Sequence, residues 1–306
     1  MLSNERILIT GGTGSLGKEL SKILCDKNEV VVYSRNEERQ FEMKQELAAN
    51  ENLQFIIGDI RDENTLADAM RGCSVAIHAA AMKDLIMCEE QPVQTCLNNI
   101  TGTHAFLQAV KRTPSIKHAT GVSTDKAASP SSVYGCTKYI MEQMFREASR
   151  YSDCVMSTVR FGNMIDSKGS LISEWKKNPD QLIKLTHPEV ARFFFTVRDG
   201  AMTVIASIEQ AQNGELLIRK MKQAKIFDIL RVITGRNEFP ILGLFPGEKV
   251  HEELVSPNEA AYCHDIGDYY AVRPGVRNAN PPSMYSTENA PSFSDAELRN
   301  LLMLGE

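Results

Sequence analysis

The stretch Ile7-Leu8-Ile9-Thr10-Gly11-Gly12-Thr13-Gly14-Ser15-Leu16-Gly17 decides the fold. Its first four residues form a short apolar run of the kind that reads as a buried strand. Glycines then recur at Gly11, Gly14 and Gly17, and an amphipathic stretch over 16–25 predicts a helix. Such a turn lets the backbone approach a pyrophosphate, and the helix N-terminus adds free N–H groups and the positive end of its dipole. A glycine pattern alone is weak, but this one follows a strand and opens a helix, which is the context it requires. Gly11, Thr13, Gly14, Ser15, Leu16 and Gly17 are therefore expected to cradle the phosphates of a dinucleotide.

Working outward, the same alternation continues for about 160 residues. Apolar runs at 7–10, 30–33, 53–57, 75–78, 116–122 and 155–160 read as buried parallel strands. Amphipathic stretches at 16–25, 37–48, 64–71, 95–111 and 134–150 read as the helices between them. This predicts an α/β fold with a doubly wound parallel sheet over residues 1–162. From 163 to 306 the alternation loosens, which predicts a small C-terminal α/β lobe with some segments returning to the first domain. Helices are expected there at 200–210 and 224–232, and near Trp175 with Leu171 and Ile172. A Pro-, Asn- and Ser-rich excursion at 278–290 precedes a last helix at 294–304.

Composition narrows the partners. The net charge of −5 indicates no basic surface for nucleic acid, so an anionic substrate must be held by a few placed cations. No apolar run approaches the ~18 residues of a membrane span. Seven cysteines without a Cys-x-x-Cys pair read as reduced thiols of a cytoplasmic protein. His251 lies beside Glu252 and Glu253 but has no second histidine at ligand spacing, so no metal is expected, and the VHEE charges read as solvated. His78, closing a buried strand, reads as a satisfied core histidine.

The end of the second strand separates NAD from NADP. A carboxylate there would bind the ribose 2′-hydroxyl; this chain has Ser34-Arg35, with Arg39 one turn on. A guanidinium grips a phosphate bidentately, so NADP is the expected cofactor. Asp59 and Ile60 are placed to meet the adenine, and Ala79, Ala80 and Ala81 to leave room for the nicotinamide ribose. After the fifth strand come Ser123-Thr124-Asp125-Lys126 and then Tyr134-Gly135-Cys136-Thr137-Lys138. The Tyr-x-x-x-Lys spacing puts both side chains on one helical face, where an ammonium would lower the phenol's pKa and make it a general base.

Taken together, these residues resemble the extended short-chain dehydrogenase/reductases, whose core is a Rossmann-like sheet. The stretches YSRNE, GDIRD, HAAAMK, STDKAASP, YGCTK, RFGN, ARFFFT and PGEKVHE resemble, more narrowly, the polysaccharide-biosynthesis UDP-N-acetylglucosamine 4,6-dehydratases, including those that invert C5. The resemblance implies that Tyr134 deprotonates the C4 hydroxyl during hydride transfer to NADP. It implies Lys126 as the C5 base and Asp125 as the acid for the departing 6-hydroxyl, with hydride then returned to C6. Thr124 joins this catalytic set, and Ser123 and Lys138 lie along the cofactor. On the substrate side it places Asn163, Ser167, Ser170 and Leu171 along the nucleotide, Arg192 on the diphosphate, Glu248 near the uridine, and Lys83 at the border of cofactor and substrate. It also implies a UDP-sugar substrate and a homo-oligomer.

Three positions depart from that pattern: Asp84, Asp166 and Phe245. One cation is lost and two carboxylates are gained on the substrate side, which predicts weaker binding of the usual nucleotide sugar or a variant one. Two other readings stay open: another nucleotide-sugar enzyme on this fold, such as a 4-epimerase, and a non-catalytic NADP-binding protein. A lysine serves as base only when its pKa falls, so the dehydratase reading expects neighbours that discharge Lys126.

Overall fold

The computed structural model describes residues 2–47, 50–165 and 171–303. Six strands alternate with helices in its first half: β1 (Arg6–Thr10), β2 (Glu29–Ser34), β3 (Leu53–Ile57), β4 (Val75–His78), β5 (His118–Val122) and β6 (Val155–Arg160). The second half adds β7 (Asn163–Met164), β8 (Ala191–Phe195), β9 (Glu215–Arg219), β10 (Gln223–Lys225), β11 (Glu253–Val255), β12 (Cys263–Asp265), β13 (Tyr269–Val272) and β14 (Tyr285–Ser286). Nine strands form one sheet in the order β12-β13-β9-β6-β5-β4-β1-β2-β3. It is parallel from β3 to β9, and β13 and β12 extend it antiparallel.

The order 3-2-1-4-5-6 within this sheet reverses direction between β1 and β4. Ligands of open α/β sheets bind outside the carboxyl ends of the strands at such a reversal. Both sheet faces are covered. One packs Leu16, Leu20 and Leu24 of the first helix with Val204, Ile205 and Ile208 of the helix Val197–Gln210. The other packs Leu66, Phe106, Met141 and Phe145 from three further helices. The helix Val197–Gln210 and strands β9, β13 and β12 thus belong to the main sheet although they follow residue 162.

The rest of the second half builds a three-stranded sheet, β10-β8-β7, and the pair β11-β14. Ile165, Ile172, Phe194, Ile229 and Leu298 form its small core, and Trp175 packs against that cluster.

Several expected boundaries move for tertiary reasons. The helix expected at 95–111 begins at Pro92 and passes through a π-helical turn, Leu97–Thr101. Residues 224–225 pair with β8 as strand β10, so that helix starts at Ile226 and ends at Gly235 with φ 71°. A helix at Leu85–Glu90 was not legible from periodicity; Asp84 caps it by accepting from Met87 N at 2.9 Å. The excursion at 278–290 is anchored by β14, with the Tyr285 hydroxyl donating to the Met221 carbonyl.

Candidate active site

The glycine turn is built by close approach. Gly11 has φ +66°, and a Cβ there would lie 2.8 Å from Ala80 N and 2.9 Å from the Ala79 carbonyl carbon. A Cβ at Gly17 would lie 2.6 Å from Gly11 O. Only glycine lets β1, the loop after β4 and the first helix converge here. The helix Ser15–Leu24 starts at Gly14 without a side-chain cap, so its first N–H groups face the turn. Thr13 and Ser15 are partly buried, whereas Leu16 belongs to the core. This cradle fits a dinucleotide pyrophosphate.

At the end of β2, the Arg35 side chain is more than half exposed and reaches Asp59 Oδ2 only at 4.0 Å. Asp59 is held instead by Arg61, at 2.9 and 2.6 Å. Arg39 lies exposed in the first turn of the next helix, and the Ser34 hydroxyl accepts from Gln40 Nε2 at 3.0 Å. Ile60 was expected at the adenine, but its side chain lies in the core against Gly102. Ala79 and Ala80 are partly buried, and Ala81 and Lys83 are exposed. The added carboxylate at Asp84 is exposed and caps the next helix.

The reactive loop continues β5. Ser123 N and Asp125 N donate to Val159 O and Phe161 O, extending the pairing with β6 before a 3₁₀ turn, Asp125–Ala127. That turn lies against the helix Val133–Ala148 because position 135 is glycine: a Cβ there would sit 2.4 Å from Lys126 O. Ser132 caps the helix by accepting from Gly135 N at 3.1 Å. Tyr134 is partly buried, with the Thr124 hydroxyl and the Lys126 ammonium as its stabilising neighbours. Thr124 Oγ1 donates to Asp125 Oδ1 at 2.9 Å, and Lys126 Nζ donates to the same oxygen at 3.1 Å.

Two electrostatic expectations are corrected. Burial pushes the Tyr134 phenol up to about 12, and the cation that offsets this is Lys126, not Lys138. Lys138 is buried, donates to Val122 O at 2.7 Å, and is lowered by burial to about 8. Lys126 was expected to be discharged. Burial does pull its pKa down, but Asp125 and then Glu252 outweigh it, and the ammonium is held above its usual range.

The substrate-side residues meet one another. Arg192 is buried; its Nη1 donates to Ala191 O and Val250 O, and its Nη2 to Glu248 Oε1 at 3.1 Å. Glu248 also accepts from Thr186 Oγ1 at 3.0 Å and from Phe245 N at 3.2 Å. Asn163 is partly buried on β7, paired with Phe194. Asp166, Ser167 and Ser170 lie outside the described residues, as does the side chain of Leu171.

Several residues escaped the sequence reading. Glu252, read there as solvated, is 2% exposed and lies 3.3 Å from Lys126 Nζ. The available signal was strand alternation, since Glu252 shares a face with Leu254, which is fully buried. Asn99, in the π-helical turn, exchanges hydrogen bonds with the backbone of Met82 and donates to Thr137 Oγ1, tying the loop after β4 to the helix of Tyr134. Ser123, which the sequence reading did name and set along the cofactor, is buried and donates to Glu142. Glu142 and Glu259 hold the fully buried Arg160 in bidentate pairs at 2.6–3.0 Å. Removing one partner of such a network typically costs ~3–5 kcal/mol, so it locks the reactive helix to β6 and to the segment after β11.

His78 accepts or donates at both nitrogens, to Thr10 and Thr103 at 3.0 Å, and stacks on Phe106. Burial lowers it to about 3, so it is a neutral core side chain. The seven cysteines are unpaired; only Cys96 and Cys136 are exposed. Among the described residues no three ligand-type side chains converge as a metal site, and no helix is long and apolar enough to cross a membrane.

The sequence model of the polysaccharide biosynthesis protein family matches residues 7–274. The chain belongs to that family. A UDP-N-acetylglucosamine 4,6-dehydratase (inverting) of Campylobacter jejuni is 32% identical over 295 residues, which is 94% of this chain and 88% of that protein. A UDP-glucose 4-epimerase of Rickettsia bellii is also 32% identical, over 92% of this chain and 86% of its own. The X-ray structure of Pen from Bacillus thuringiensis superposes with a TM-score of 0.92 at 32% identity, covering 99% of this chain and 98% of that one. The family membership and α/β fold expected from the sequence are thus established.

Proposed function

We propose that this member of the family is an NADP-dependent UDP-N-acetylglucosamine 4,6-dehydratase, a hydro-lyase acting without net redox change. One observation carries the reading: the buried Asp125–Lys126 pair beside Tyr134, in the turn that follows β5. Removing a proton from C5 and a hydroxyl from C6 needs a base and an acid side by side. A 4-epimerase needs neither.

Gly11 to Gly17 would hold the pyrophosphate, Arg35 the 2′-phosphate, and Lys138 the nicotinamide ribose hydroxyls. Bound there, the cofactor supplies the acceptor for the C4 hydride and the donor for C6. Tyr134 takes the C4 hydroxyl proton as phenolate, a form favoured by Lys126 and by the Thr124 hydroxyl. Once C4 is a ketone, the C5 proton is acidified.

At rest the pair is ammonium and carboxylate, hydrogen-bonded at 3.1 Å. Transfer of one proton from Lys126 Nζ to Asp125 breaks N–H, forms O–H, and leaves an amine and a carboxylic acid. The amine takes the C5 proton, the acid protonates the departing 6-hydroxyl, and water leaves. The pair returns to ammonium and carboxylate, so no outside proton is consumed. Reprotonation of C5 from the other face would invert that centre. Arg192 is the placed cation for the diphosphate, and must exchange its bond to Glu248 to reach it.

A homo-oligomer is supported by six exposed apolar side chains on neighbouring helices: Ile86, Met87, Val93, Leu97, Tyr139 and Ile140. The unpaired thiols fit a reducing cytoplasm. The similarity to the Rickettsia epimerase favours a 4-epimerase as the second reading.

The test is mass spectrometry of UDP-N-acetylglucosamine after incubation with the purified protein in D₂O. Loss of one water with deuterium at C5 is expected, and NMR of the product gives the C5 configuration. Unchanged mass with an inverted C4 would establish the epimerase. An unchanged substrate would refute both.

A further inference from the structure

Two buried carboxylates converge on Lys126. Asp125 is 0% and Glu252 is 2% exposed, and their oxygens lie 3.1 and 3.3 Å from Lys126 Nζ. Among the described residues, Asp125 Oδ2 and Glu252 Oε2 are each buried without a hydrogen-bond partner. A buried carboxylate oxygen lacking a donor is uncommon and destabilising, and two carboxylates that each keep one such atom while the other oxygen meets the same ammonium mark a place built for more than stability.

Glu252 arrives there by construction. Gly247, with φ +78°, packs on Ser132, and Ser131 Oγ donates to Gly247 O at 2.9 Å. Ser129 donates to Glu253, and Glu252 N donates to Thr287 Oγ1 at 3.1 Å. The segment leading into β11 is thus fastened along the reactive loop, with Glu252 set against Lys126.

We propose that Glu252 is a positioning residue for the elimination: it holds Lys126 Nζ independently of Asp125, so that Lys126 keeps its place when Asp125 turns to the 6-hydroxyl. The inference rests on the reading of Asp125 and Lys126 as acid and base. In the resting pair, Asp125 Oδ1 accepts from both Thr124 and Lys126. When Asp125 gives its proton to the leaving oxygen, it can no longer hold Lys126 as it does at rest. Glu252 is the second anchor, and its charge stabilises the ammonium that forms as the C5 proton is taken.

The charged and titratable groups facing Lys126 are Asp125 on its own turn, Glu252 before β11, Arg192 on β8 and Tyr134 on the helix. Of these, Asp125 and Glu252 favour the ammonium and Arg192 opposes it. Removing the Glu252 charge therefore lets Lys126 lose its proton at lower pH.

The experiment compares the full-length wild type with Glu252→Gln and Glu252→Asp, each checked for folding by circular dichroism. It has two readouts. The first is the pH profile of water loss from UDP-N-acetylglucosamine. The second is direct titration of Lys126 by NMR with ¹³C at lysine Cε, the signal assigned by its loss in Lys126→Arg. Glu252→Gln is expected to lower kcat tenfold or more with KM changed less than threefold. Its alkaline limb and the Lys126 titration should both move to lower pH by about one unit, and Glu252→Asp should partly restore them. A folded Glu252→Gln protein with both unmoved and kcat unchanged overturns the inference. If the wild type leaves this substrate intact, the dehydratase reading fails, and the NMR titration alone decides whether Glu252 governs Lys126.

Discussion

Replacing Lys138 with methionine should stabilise the protein near neutral pH and destabilise its function. The ammonium is buried, and its pKa falls from 10.5 to about 8. At 1.36 kcal/mol for each tenfold change, keeping it charged at pH 7 costs the folded state about 3 kcal/mol. Methionine keeps the unbranched stem but leaves Val122 O without its donor at 2.7 Å, which costs ~1–2 kcal/mol. The net expectation is a gain of about 1–2 kcal/mol at pH 7.

The sign reverses with pH. Below about 8 both folded and unfolded chains hold the proton, and the folded chain bears the whole penalty. Between about 8 and 10.5 the unfolded chain binds more protons than the folded one, so wild-type stability rises with pH. Above that window both are neutral and the penalty is gone. Urea unfolding followed by circular dichroism should show the variant's advantage shrinking by ~2–3 kcal/mol from pH 7 to pH 10, to parity or below. A difference that does not change with pH, or a variant less stable at pH 7, would refute the reasoning. The same variant should lose turnover, since a lysine kept against such a penalty has a role other than stability.

Two further outcomes follow from the geometry. Gly135→Ala puts a methyl 2.4 Å from Lys126 O and must push the Asp125–Ala127 turn off the helix; kcat for dehydration should fall ~100-fold or more, because a 1 Å displacement of reacting groups has that effect. Arg35→Ala should weaken NADP binding by about 10–100-fold, the worth of one charge-assisted contact, and leave NAD binding nearly unchanged. Fluorescence titration with both cofactors measures it, and equal losses for the two would remove Arg35 from the 2′-phosphate.

The residues with local signatures were legible in the chain itself. The strand–glycine–helix turn, the alternating periods, Ser123 to Lys126 and the Tyr134–Lys138 spacing each depend on neighbours a few positions away. Local hydrogen bonding and side-chain direction already constrain such neighbours. Family membership followed from the same stretches. Boundaries shifted where a distant partner decided them, as when pairing with β8 turned residues 223–225 into a strand.

Only the tertiary structure decided the electrostatics of the site. The charge state of Lys126 depends on Glu252, which lies 126 positions further along the chain and 3.3 Å away in space. Tyr134 takes its stabilising cation from the loop after β5 rather than from the lysine one turn on, because that lysine is bonded to Val122 O. Asp84 became a helix cap, and Arg192 and Glu248 became partners. Sequence spacing sets which side chains share a face. Burial and distance, which set the energy of a charge, arise only when the lobe folds onto the sheet.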